Sequence, residues 1–69
     1  RTRFEDVINT LKDPDEIRFS RRLAHRLLVY RYFDPEYICV VIKVDENSGI
    51  VLTCYLTEKI KEGEIIWTK

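Results

Sequence analysis

The chain has 69 residues, 45% of them hydrophobic and 35% charged, with two glycines and two prolines; this profile belongs to one small folded domain and excludes a disordered or low-complexity chain. A domain near this size buries only about 60% of the surface its unfolded chain exposes, so its margin of stability is narrow. Twelve basic and twelve acidic residues cancel, which removes any argument from overall charge and leaves its distribution to be read.

Thr2 and Glu5 have the spacing of a capping box, in which each side chain satisfies an orphan amide of a helix start. Phe4, Val7, Ile8 and Leu11 then recur at helical spacing, predicting a short amphipathic helix from Arg3 to Lys12. Asp13 and Pro14 end it, because proline disfavours helical geometry in the residue before it and lacks the amide for the next ladder bond.

Beyond the turn Asp13-Pro14-Asp15-Glu16, branched and aromatic residues dominate, and four strands are predicted at Ile17–Arg21, Leu27–Phe33, Tyr37–Asp45 and Ile50–Thr57. Their connections are short enough for an antiparallel meander. Asp34-Pro35-Glu36 and Glu46-Asn47-Ser48-Gly49 supply turn chemistry, the asparagine and glycine tolerating positive φ; the turn at Arg22–Arg26 has neither glycine nor proline. Glu58–Gly63 reads as a turn or a single helical revolution. Glu64–Trp67 reads as a short final strand or docking segment, with Trp67 packed on the sheet. The expected fold class is α+β, one short helix on a four-stranded antiparallel meander, in a single domain cropped from a longer protein.

Side-chain alternation divides the two longest strands. Ile38, Val40, Ile42 and Val44, with Ile50, Leu52, Cys54 and Leu56, form wholly apolar sets that should face the helix together with Ile17 and Phe19. A nine-residue helix spans only roughly 14 Å and cannot cover four strands, so an upstream helix or a second subunit is expected to complete the cover. Cys39 and Cys54 fall on opposite faces, which disfavours a disulfide. Two cysteines and one histidine are also too few for a structural zinc site; neither metal nor cofactor is expected. The longest apolar run, Tyr37–Ile42, is too short to span a bilayer, and a cytoplasmic protein without membrane contact is expected.

All seven arginines lie at or before Arg31, and the segment Arg18–Arg31 holds five of them, one histidine and no acid. Guanidinium groups match phosphate bidentately, and such a segment can attract a polyanion even on a neutral molecule. If Leu28, Tyr30 and Tyr32 pack toward the helix, then Arg18, Ser20, Arg31, Lys43, Thr53, Tyr55 and Thr57 share the other face, a set of cations and hydroxyls with an aromatic platform that suits a nucleic-acid backbone. A slip in register would exchange Arg31 and Tyr30. Arg21, Arg22 and Arg26 cluster at the turn, positioned for long-range attraction, with His25 an exposed imidazole between them.

The helix, the Asp13-Pro14-Asp15-Glu16-Ile17 turn, the Tyr30-Arg31 pair, the Val40–Val44 strand, the Val51-Leu52-Thr53-Cys54-Tyr55 strand and the closing Lys61-Glu62-Gly63-Glu64 stand in a familiar order. From Phe4 to Trp67 the chain resembles the phage and bacterial BECR nuclease-like domains, the group of barnase-, EndoU-, colicin-nuclease- and RelE-like proteins. The resemblance implies metal-independent RNA cleavage, in which a neighbouring 2′-hydroxyl attacks phosphorus. Arg31, Lys43, Thr53 and Tyr55 would then be the catalytic set, stabilising phosphoryl charge and assisting proton transfer, while Arg18, Ser20, Arg21, Arg22 and Arg26 bind the nucleic acid. A histidine that such domains often carry in the helical region has no counterpart here. The alternative is a noncatalytic interaction module that binds nucleic acid or forms a homodimer.

Overall fold

A computed structural model describes residues 4–69; the expected capping-box threonine, Thr2, and the helix start at Arg3 lie outside the described residues. Helix α1 (Phe4–Lys12) has Glu5 and Asp6 in its first turn and Lys12 in its last, charges that complement the helix dipole. It ends where expected: the Asp13 amide still bonds to the Asn9 carbonyl at 3.1 Å, and Pro14 follows. Val7 is its apolar contact with the sheet, while Phe4 is 77% exposed. Thr10 is fully buried, and its hydroxyl has no hydrogen-bond partner among the described residues.

Five antiparallel strands follow: β1 (Glu16–Ser20), β2 (Arg26–Phe33), β3 (Glu36–Val44), β4 (Gly49–Thr57) and β5 (Gly63–Thr68). The first four form the expected meander. The final segment corrects the four-stranded expectation: it is a full strand that pairs with β1, giving the order β4-β3-β2-β1-β5. Trp67 is therefore a sheet residue opposite Ile17 instead of a plug laid on the sheet. To reach β1 from β4, residues 58–62 must cross the sheet. Gly63 makes the landing possible, because a Cβ there would overlap the Phe19 carbonyl oxygen.

The crossing segment explains why both faces of the sheet are apolar. Under α1, which lies over β2 and β3, Val29, Ile38 and Val40 form one core with Val7, Ile17, Ile42, Cys54 and Leu56. On the other side Leu28, Tyr30, Cys39 and Val41 form a second, sealed by Tyr37, Tyr55 and Ile60 of the crossing segment. Two hydrogen bonds hold that segment down: the Lys61 amide donates to the Tyr30 hydroxyl at 3.0 Å, and Arg18 donates to the Lys61 carbonyl at 3.4 Å. Cys39 and Cys54 lie on opposite faces, as expected, and neither forms a disulfide.

Three expectations of alternation and turn chemistry change. In β2, Val29 and Arg31 face the helix side and Leu28 and Tyr30 the other, the reverse of the assignment that grouped Arg31 with Thr53. Leu27 to Tyr30 are apolar on both faces, so the pattern contained no preference. In β4, a bulge opposite Val41 and Ile42 inserts Leu52 as an extra residue and breaks the apolar set Ile50, Leu52, Cys54, Leu56 in two. At the β3–β4 turn neither Asn47 nor Gly49 has positive φ; the turn is closed by Asp45, whose Oδ1 accepts bonds from the Asn47 and Ser48 amides at 3.2 and 3.1 Å. These donors hold the Asp45 carboxyl below the ordinary value. The positive φ among described non-glycine residues belongs to His25, at 60°, in the glycine-free β1–β2 turn.

Candidate nucleic-acid interface

The end of the sheet beside the β1–β2 turn, on the face away from α1, holds an open groove of about 550 Å³. Ser20 ends β1, Arg22 and Leu23 come from the turn, and Arg26 and Leu28 start β2; Val41 of β3, Leu52, Thr53 and Tyr55 of β4, and Lys61 of the crossing segment complete the lining. The floor is apolar and the rim carries three cations. None of the ten side chains is a carboxylate or an imidazole.

Local hydrogen bonds fix this rim. Ser20 Oγ accepts the amides of Arg22 and Leu23 at 3.3 and 3.1 Å, the same backbone satisfaction that lets a serine close a turn. Arg26 donates from one Nη to the Ala24 carbonyl at 3.0 Å, which leaves other guanidinium donors for a ligand. Lys61 Nζ sits 5.5 Å from the centroid of the Tyr55 ring, in cation–π range. Among the described residues no carboxylate lies within ion-pair distance of Arg22, Arg26 or Lys61.

Tyr55 lines the groove and packs against the core formed by Leu28, Tyr30, Cys39 and Val41. Burial pushes its phenol pKa well up, and the bond to the Cys39 thiol pushes it further. Burial also raises Tyr30, to about 12, and raises the Cys39 thiol despite the hydrogen bonds both tyrosines make to it. All three groups are neutral near pH 7. The thiol, protonated and buried, is not a nucleophile.

Of the residues singled out from the sequence, Ser20, Arg22, Arg26, Thr53 and Tyr55 come together in the groove. Lys43 is the cross-strand neighbour of Arg26 but does not line it. Arg18 is on the same face, ion-paired with Glu16 and bonded to Lys61. Arg21 is exposed in the turn. Arg31 is separated from all of them: it lies on the α1 side and donates to the Asp13 carbonyl at 2.8 Å and to Asp13 Oδ2 at 3.1 Å. It caps the end of the helix, where carbonyls lack partners and a cation is favourable.

Sequence reasoning placed Val41 on this face but missed Lys61 and the three apolar residues Leu23, Leu28 and Leu52. Lys61 joins the groove only because the crossing segment folds back over the sheet, and Leu52 only because of the bulge; neither leaves a periodic signal. Among the described residues no cluster has three or more His, Cys, Asp or Glu able to hold a metal ion, and no helix is long and apolar enough to cross a membrane. No protein-family model, curated protein or solved structure matches this chain.

Proposed function

We propose that this domain binds RNA through the groove, with Arg22, Arg26 and Lys61 holding the phosphodiester backbone. The observation that carries the reading is the gathering of three cations on one apolar-floored groove with no carboxylate of the described residues within ion-pair distance, whereas Arg18, Arg31 and Lys69 each sit with an acid. A phosphate there would gain charge-assisted hydrogen bonds while displacing no internal ion pair. Thr53 and Ser20 add hydroxyls of the kind that contact a sugar or phosphate oxygen.

Metal-independent cleavage, which the resemblance to BECR-type nucleases implies, needs a proton acceptor for the attacking 2′-hydroxyl as well as a cationic cradle. The groove offers the cradle. None of its ten lining side chains is a carboxylate or an imidazole, so binding is the activity these residues support best.

Both are tested together by measuring anisotropy of a labelled single-stranded RNA and its integrity in the presence of a chelator. The triple variant Arg22→Ala/Arg26→Ala/Lys61→Ala should lose binding and any cleavage, while Arg31→Ala should keep them. Equal loss in Arg31→Ala, or binding unaffected in the triple variant, contradicts the assignment.

A further inference from the structure

We propose that Leu23 and Leu52 form an apolar clip that takes one unstacked base of single-stranded RNA beside the phosphate held by Arg22, Arg26 and Lys61. The inference rests on the RNA-binding reading above and names what the rest of that groove receives.

Phosphate binding by itself accounts for the cations and leaves the leucines unexplained. Leu23 is 58% exposed and Leu52 47% exposed, although both line the groove. Each is put there by a specific local distortion. Leu23 projects from the turn that Ser20 Oγ pins and that His25 closes at positive φ. Leu52 is the extra residue of the β4 bulge, without which alternation places it on the helix side. Bulges recur where a strand must re-aim a side chain beside a binding site.

Between these two side chains the floor is Leu28 and Val41, both buried, with the flank of Tyr55 completing one wall. The volume of about 550 Å³ lies inside the usual range of small-ligand sites, roughly 300–1,000 Å³. A planar, largely apolar body attached to an anion fits this distribution, and a nucleobase on its phosphate has that form. The clip carries no polar edge to read base identity, so it accepts any base. A paired duplex keeps its bases stacked inside and offers such a clip nothing to hold.

The test compares three probes against the whole chain: a single-stranded octaribonucleotide, an abasic backbone of equal length, and an RNA duplex. The wild type should bind the octaribonucleotide roughly tenfold more tightly than the abasic backbone or the duplex, the scale expected from burying part of two leucines. Leu23→Ser/Leu52→Ser should erase that preference and bind the abasic backbone as the wild type does, which also shows that the variant is folded. A wild type that binds abasic and intact strands alike overturns the clip. So does a double variant that keeps the preference, or one that loses the abasic backbone as well. If no probe binds the wild type at all, the RNA-binding reading itself fails, and the clip with it.

Discussion

Arg31 and Lys69 share Asp13 at the end of the sheet where α1 leads into β1, with Arg31 Nη1 and Lys69 Nζ both 3.1 Å from its carboxylate. Arg22, Arg26 and Lys61 stand around the groove at the other end, with no carboxylate of the described residues within ion-pair distance. At the first end, side chains from the helix end, β2 and the C-terminal residue are tied through Asp13 and Asp15, and the Lys69 amide bonds to the Asp15 carbonyl at 2.9 Å. Cations there join parts of the fold. At the second end they rim an open groove over an apolar floor, and they tie no parts of the fold together through an acid of the described residues. Density of positive charge in the sequence does not separate the two roles; the location of the acids does.

Removing the groove cations should separate the two ends of the sheet most sharply. Arg22→Ala/Arg26→Ala should weaken RNA binding by about a hundredfold, since hydrogen bonds to a charged group contribute about 1.5–3 kcal/mol each. Its melting temperature should stay near that of the wild type, measured by circular dichroism. A large drop in melting temperature would assign these arginines to the fold.

Gly63→Ala should have the next largest effect. The methyl group meets the Phe19 carbonyl, so β5 must shift from β1, at a cost of about 1–3 kcal/mol in urea unfolding. RNA affinity should fall only to the extent that Lys61 moves with the displaced strand. Arg31→Ala should cost about 1 kcal/mol through the lost helix-end bonds, its side chain being partly exposed, and should leave RNA affinity unchanged. Loss of binding there would erase the difference between the two ends.

The smallest effect is the pH dependence of the Asp13 cluster. Hydrogen bonds from Lys69 and Arg31 lower the Asp13 pKa below its ordinary 3.8. Its stabilising contribution is thus present above pH 3.8 and disappears as pH falls through the lowered folded-state value. Lys69 is raised above 10.5 by the same pair, chiefly its bond to Asp13, so its contribution is present below pH 10.5 and disappears as pH rises through the folded value. Asp13→Asn should flatten both limbs of the stability–pH curve. Both groups are exposed, and the change is small.

Much of this architecture was legible in the sequence. Phe4, Val7, Ile8 and Leu11 announced the helix and Pro14 its end, and the runs of branched residues located the four strands of the meander. What alternation could not supply was the face of each side chain where the period fails. Leu27 to Tyr30 are apolar on both sides, so the pattern left Arg31 free to fall on either face; the register with β3 put it under the helix. The bulge at Leu52 and the crossing segment at Lys61 are long-range features, set by pairing across the sheet and by the landing at Gly63. The groove is therefore half visible in the sequence. Ser20, Arg22, Arg26, Thr53 and Tyr55 follow from residue type, and the residues that give it depth do not.

If the three groove cations hold RNA, its binding must weaken as salt rises. Three neutralised phosphates on a single strand predict a log–log slope of affinity against salt near roughly −2, falling toward zero as Arg22, Arg26 and Lys61 are replaced one at a time by alanine. An affinity that does not change with salt, or a slope that persists in the triple variant, would contradict it.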